Sequence, residues 1–315
     1  MTEKNMISWN KFVEYASDLG IKQEYIAQNE SFFNSLSPDL VDKYITMPEL
    51  PVEEVESIFS SADVRRFVLI LLISLYPEME RIYQDRNYSK IHFQEIKKDI
   101  SLWIEKSLAE TDGTVAGVDI DVYPWERKIF TGEVLQFGRL QCNRRHKFES
   151  KIACFANPDG SIRIEKVTEN RRDALFSFDD EAINIHIPAN GRLTREGCID
   201  SLRQMKEFFE SQKVDYKAVV CYSWILDPTF AKLNPNGNLA KFQQLGHIYR
   251  MDGCDQTNEV VWRVFDIHRG TVANIDKRPW DSSMRKSVGA YLKNGGEFCE
   301  YGLIILKDEL VELLK

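Results

Sequence analysis

The stretch 183–234 constrains this chain most. It reads INIHIP, ANGRLT, REGCIDSLRQMKEFFESQ, YKAVVCYSWILD and PTFAKLN in turn, with short joins. Apolar residues alternate in the first and fourth pieces and recur at the helical period in the third. The order is therefore strand, polar turn, long helix, strand, helix. A helix that begins directly after a strand presents amides with no partner inside the helix, which makes its start a prepared anion site. This turn carries Arg192 and Arg195 and no large acidic cluster. A phosphate-bearing ligand is its expected occupant.

Residues 1–111 read as helical throughout. Trp9, Phe12, Val13 and Ala16 follow the helical period. Ser37-Pro38-Asp39 starts a helix with proline at an early position, and Val64–Tyr83 is the strongest helix, with Pro77 expected to kink or split it. His92–Leu108 is amphipathic through Ile96, Ile100, Trp103 and Ile104. TDGTVAGVD, 111–119, is a break rich in glycine and small residues, and is the expected linker. Beyond it a helix is expected over Trp125–Leu135, followed by alternating strands with a hairpin turn at Asn157-Pro158-Asp159-Gly160. Strands over Phe242–Met251 and Val260–Asp266, a helix over Ser282–Lys293 and a last strand over Tyr301–Leu306 complete the pattern, which from Ile183 runs β, α, β, α, β, β, α, β. The expected fold class is α+β: an all-α N-terminal domain, 1–115, and a mixed α/β C-terminal domain, 116–315. At 315 residues the chain exceeds what one core usually organises.

The formal net charge of -8 disfavours nucleic acid or an anionic membrane as partner. The basic run Arg144, Arg145, His146, Lys147 is local and reads as a solvated strand edge or turn. The longest apolar run, Phe67–Leu75, is about half a membrane span and reads as a buried core helix. Cysteines 142, 154, 198, 221, 254 and 299 show neither CxxC spacing nor zinc-ligand spacing with histidine, so no metal is expected. Reduced thiols and an N-terminus with no apolar signal core fit a cytoplasmic protein. Nothing in the sequence sets the oligomeric state.

Four ordered phrases carry a family resemblance: Gly138-Arg139-Leu140-Gln141; Ile185-His186-Ile187-Pro188 followed by Gly191-x-Leu193-Thr194; Cys221-x-Ser223-Trp224-x-Leu226-Asp227-Pro228; and Phe242-Gln243. Together they resemble mostly bacterial acyltransferase-domain proteins that pair a helical N-acyltransferase N-terminal domain with a GNAT-like C-terminal domain. The resemblance covers 125–315 well, and 1–124 by helical character and position. It implies a strand pair that splays apart to admit the pantetheine of acyl-CoA, with the pyrophosphate on the turn before the long helix. That turn is Asn190, Gly191, Arg192, Leu193, Thr194 and Arg195, the expected cofactor-binding set. GNAT enzymes usually carry Arg/Gln-x-x-Gly-x-Gly/Ala there. This chain has one early glycine, Gly191, and one late, Gly197, with Thr194 as helix cap and Glu196 opposing a diphosphate unless Arg192 or Arg195 compensates.

Each candidate has a structural and a functional reading. His186 either bonds a neighbouring strand or acts as base toward an acceptor amine. Alternation places Asn184 and His186 on one face and Ile183, Ile185 and Ile187 on the other. Cys221 is either a buried small hydrophobe or a nucleophile carrying an acyl group. Ser223 lies on the face of Cys221 and would donate to the thioester oxygen or the leaving thiol. Asp227 either caps the helix that begins with Pro228 or joins Ser223 at the cleft mouth, and Trp224 is either core or substrate contact. Arg139 and Gln141 either pair at a domain interface or line the acceptor pocket. Tyr222 and Tyr249 offer general acids that nothing in the sequence singles out. The expected function is transfer of an acyl group from acyl-CoA, or a related thioester, to a small-molecule amine or hydroxyl acceptor by direct attack. The alternatives are a non-catalytic ligand-binding or interaction module on the same fold, and a Cys221-dependent acyl carrier enzyme.

Overall fold

The computed structural model describes residues 6–315 apart from Asn87, Ser89, Arg145 and Asn190; the side chains of 90–96 and of Cys254 stand outside that description. The chain divides into two compact units, 1–136 and 137–315.

The first unit is helical: α1 (Trp9–Asp18), α2 (Gln23–Ala27), α3 (Glu30–Ser35), α4 (Pro38–Ile45), α5 (Val52–Ile58), α6 (Ser61–Ser74), α7 (Tyr76–Asp85), α8 (Lys90–Glu110) and α9 (Tyr123–Phe130). Ser60 caps α6 by accepting from the Asp63 amide. The run from Phe67 to Ser74 is buried on every side of that helix, so α6 is the central helix of this unit. The helix ends at Ser74 and α7 restarts with Pro77 in its first turn, where the missing amide costs nothing. The glycine-rich segment 111–119 is tied into this unit: the Val118 amide donates to the Arg65 carbonyl, and Asn29 Nδ2 donates to the Ala116 carbonyl. Among the described residues no helix is long and apolar enough to cross a membrane.

β1 (Val134–Phe137) crosses the division between the units, and Gly138 takes φ +56° in the turn that follows. The second unit then runs β2 (Leu140–Asn143), β3 (His146–Lys147), β4 (Ile152–Ala156), β5 (Ile162–Lys166), β6 (Phe176–Ser177), β7 (Glu181–His186), α10 (Arg195–Ser211), β8 (Ala218–Ser223), α11 (Pro228–Leu233), α12 (Asn238–Gln243), β9 (His247–Asp255), α13 (Thr257–Phe265), α14 (Ser283–Lys293), β10 (Cys299–Leu306) and α15 (Lys307–Leu313). Its main sheet has the order β2-β7-β8-β10-β9, with β3 also paired to β7. Only the β7–β8 pair is parallel; the others are antiparallel. A small sheet, β5-β4-β6, packs on one face through Phe148, Ile152, Cys154 and Phe176 against Ala182, Val220, Tyr249 and Ile304. Its hairpin turns at Asn157–Ser161, with Gly160 at φ +83°.

Three sequence-based assignments are corrected. The helix expected over Trp125–Leu135 spans Tyr123–Phe130; Gly132 at φ +66° ends it and β1 follows. Phe242 and Gln243 close α12, and the strand begins only at His247, after Gly246, whose lack of a side chain admits the Ile304 backbone. The stretch Val260–Asp266 is helix, not strand. Its β-branched residues suggest a strand, but Val260, Val261, Val264 and Phe265 repeat on one helical face and are buried together. Asp255 Oδ1 receives the Thr257 amide at its start. From Ile183 the order is thus β, α, β, α, α, β, α, α, β, α.

Candidate functional site

The parallel pairing of β7 with β8 runs from Ala182 opposite Ala218 to Ile185 opposite Cys221 and stops there. β7 continues to His186 and β8 to Ser223, where β8 stays paired to β10 through Ser223 opposite Tyr301. One side of β8 therefore keeps its ladder while the side toward β7 gives it up. Where the ladder between two parallel strands ends, the edges that face each other can take an extended ligand that carries its own amides.

Side-chain parity sorts the residues around this opening. Gln141 stands opposite His186, and Cys142 opposite Ile185. Asn143 Oδ1 lies 2.6 Å from His186 Nε2 and 3.1 Å from Asn184 Nδ2. Gln141, Asn143, Asn184 and His186 thus form a polar row on one face. Tyr222, next after the last paired residue of β8, belongs to that face, since it packs with Val220 and Ala182. Its hydroxyl is 3.4 Å from His146 Nε2. Burial pushes the Tyr222 hydroxyl well up, so it holds its proton at neutral pH. Burial also lowers His146 below the usual histidine value, although Glu149 and Glu181 pull the other way.

The opposite face carries Cys221 and Ser223. Cys221 is 1% exposed, and burial pushes its thiol far up, with Cys198 of α10 adding to the effect. Such a thiol is inert rather than nucleophilic. Ser223 Oγ accepts from the Ile225 amide and caps the 3₁₀ turn Trp224–Leu226. The turn takes Trp224 out of strand alternation and sets its ring edge-on to Phe230, 5.4 Å between centroids. Asp227 is committed to the fold: Oδ1 accepts from Thr229 N at 2.8 Å and Oδ2 from Cys299 N at 2.8 Å. Gln243 donates to the Ile225 and Asp227 carbonyls, which ties α12 to this turn.

The turn before α10 runs from Pro188 to Thr194. Gly191 has φ +132°, a conformation glycine adopts without strain. Thr194 caps α10 by accepting from Gly197 N at 3.1 Å, which contributes about 1 kcal/mol. The amides of Arg195 and Glu196 have no protein partner among the described residues. Arg192 is exposed, Arg195 half-buried and Leu193 buried. Asn190 lies outside the described residues. Arg139 anchors the turn: its amide donates to Ser201 Oγ at 2.9 Å, its Nε donates to the Arg192 carbonyl at 3.1 Å, and its stem lies against Gly197. The guanidinium thus sits at the positive end of a 17-residue helix.

The family model for the GNAT-like C-terminal domain matches residues 134–303. The chain belongs to that family. Among solved structures, one similar to this GNAT-like chain is an acyltransferase in complex with decanoyl-CoA, with TM-score 0.66 and 16% identity, covering 94% of this chain and 87% of that one. An acyltransferase mutant in complex with octanoyl-CoA has TM-score 0.66 and 14% identity, covering 93% and 87%. An acyltransferase in complex with decanoyl-CoA and teicoplanin has TM-score 0.59 and 14% identity, covering 94% and 99%. These likenesses show a shared fold. No curated protein matches by sequence.

Within this GNAT-like domain, the sequence singled out His186 and the turn as candidates, but gave no sign of the contact of Asn143 with His186 or of Arg139 with the turn. Alternation in LQCN puts Gln141 and Asn143 on one face, which is the available signal for the first. The contact of Arg139 with Arg192 spans 53 residues and has no local trace.

Proposed function

We propose that this protein transfers an acyl group from acyl-CoA to an amine or hydroxyl of a small-molecule acceptor. The observation that carries the reading is the end of β7–β8 pairing at Ile185 and Cys221, directly ahead of a helix start with two unpartnered amides and flanking arginines. The pantetheine arm would lie along the opened strand ends and bond their backbone. The pyrophosphate would meet the Arg195 and Glu196 amides, with Arg192, Arg195 and Arg139 offsetting Glu196. Amides at the strand ends would polarise the thioester carbonyl as in an oxyanion hole.

His186 is the proposed general base. With Nε2 donating to Asn143 Oδ1, the tautomer is fixed and Nδ1 carries the lone pair. The acceptor attacks the carbonyl carbon, a C–N or C–O bond forms, and the acceptor proton passes to Nδ1. The C–S bond breaks, and the departing thiolate takes that proton back from the His186 imidazolium. Cys221 and Asp227 are left out of this set, and Ser223 is a backbone cap first. The fold of acyltransferases crystallised with acyl-CoA supports this reading. So does the position of Trp224, whose ring packs on Phe230.

The test is a thermal-shift titration with CoA, acetyl-CoA and longer acyl-CoAs on wild type and Arg192→Glu. A ligand at a hundred times its Kd adds about 2.7 kcal/mol of stability. A shift in wild type that weakens in the variant supports the reading. No shift with any CoA moves the assignment to a non-catalytic module on the same fold.

A further inference from the structure

Asn184 lies in β7 with its side chain almost wholly buried, 7% exposed. Val220 of β8 stands directly opposite it, and Ala182, two residues back on the same face, belongs with Val220 to the apolar cluster under the small sheet. Such a strand position suits a β-branched apolar residue better than a carboxamide. We propose that Asn184 is a positioning residue which, acting through Asn143, selects the tautomer of His186. The inference rests on His186 as the base and says what makes Nδ1 its basic nitrogen.

The orientation of Asn184 itself comes first. Its Nδ2 donates to Asn143 Oδ1 at 3.1 Å, while its own Oδ1 is buried with no partner among the described residues. Rotating the amide by 180° would exchange its two ends and put two N–H donors in that unpartnered place. A buried orphan oxygen is tolerated better than a buried orphan N–H. The unpartnered end therefore keeps the amino group of Asn184 turned toward Asn143.

Asn143 must then answer with its oxygen, because its reversed amide would set one amino group against another. The same oxygen lies 2.6 Å from His186 Nε2. An oxygen only accepts, so Nε2 carries the hydrogen and the neutral ring keeps its lone pair on Nδ1. With Asn143 reversed, its amino group would donate to Nε2 and the ring hydrogen would sit on Nδ1, where it blocks proton abstraction. Three side chains thus carry an orientation from the apolar interior to the end of β7, with no formal charge in either carboxamide.

The test reads the tautomer directly, by long-range ¹H–¹⁵N correlation of the His186 ring in the full chain at alkaline pH, where the imidazole is neutral. The His186 signals are assigned by their absence from His186→Ala. Wild type should show the Nε2–H form. Asn184→Val, which suits the strand and removes the donor, should bring in the Nδ1–H form. Adding Asn143→Asp should restore Nε2–H, since a carboxylate offers oxygen on both sides. If Asn184→Val does not fold, Asn184→Ala takes its place. An unchanged tautomer in the folded single variant, an Nδ1–H ring in wild type, or no restoration in the double variant overturns the assignment of Asn184. The readout needs neither donor nor acceptor, so the base reading stands or falls separately, with the turnover of His186→Ala.

Discussion

Asn143 Oδ1 accepts from His186 Nε2 at 2.6 Å across the β2–β7 pair, and the same oxygen takes Asn184 Nδ2 at 3.1 Å. A single carboxamide thus orients the imidazole at the end of the strand where parallel pairing stops. For His186 as the proposed base, a neutral neighbour sets the tautomer without adding charge.

Replacing His186 by Ala should lower kcat by roughly 10²–10⁴ while leaving the Kd for CoA unchanged. Asn143→Ala should lower kcat less and alter the pH profile, since the ring loses its fixed orientation. Steady-state kinetics with calorimetry checks both. Full kcat in His186→Ala removes it as base.

Arg139→Ala should loosen the turn without touching the strands. The bond from Nε to the Arg192 carbonyl is lost. The Kd for CoA should rise on the order of tenfold, the worth of one charge-assisted bond. Unchanged affinity would limit Arg139 to a structural part.

His146 gives a pH dependence with a definite sign. Burial lowers its folded value, so the unfolded chain binds the proton more readily. Its contribution is present above the unfolded histidine value and is lost as pH falls through that value toward the folded one. Wild type should therefore lose more melting temperature between neutral and mildly acidic pH than His146→Leu. Equal losses contradict this.

Glu126 in the helical unit runs the other way. It is fully buried, and burial first, then the neighbouring Asp99, raises its carboxyl well above the usual value. The folded state keeps the proton, so stability is lost as pH rises from the unfolded carboxylate value toward the folded one. Among the described residues neither carboxyl oxygen is within hydrogen-bond geometry of a partner, and the Trp103 indole only partly offsets the burial. Glu126→Gln should stabilise at neutral pH by about 1–3 kcal/mol and flatten the pH dependence, read by chemical denaturation. A destabilised variant contradicts this.

Gly302 lies under the Tyr249 ring, and any Cβ there would collide with it. Gly302→Ala should displace Tyr249, break its 2.8 Å bond with Ser150 and cost about 1–3 kcal/mol. Unchanged stability would mean that the ring moves freely.

The sequence made the unit around the turn legible because each of its elements is locally determined. Thr194 caps, Pro228 follows a capping Asp227, and period-2 alternation gives the faces of β7 correctly from Ile183 to His186. Pro77 likewise marks the break between α6 and α7. What stayed hidden depends on tertiary partners. VVWRVF is a helix because its valines find a core with Val288 and Phe298, against its strand propensity. The polar row is visible only once β2 is known to pair with β7, which brings Asn143 to His186 over 43 residues. Tyr222 gains a partner from the basic run, where His146 turns inward rather than to solvent.

The most direct test of the account is a backbone amide NMR titration of the isotope-labelled full chain with CoA. The account predicts saturable shifts at Arg195 and Glu196 and at the strand ends around His186 and Tyr222. No shifts, or saturable shifts confined to residues away from the turn and the strand ends, would contradict it.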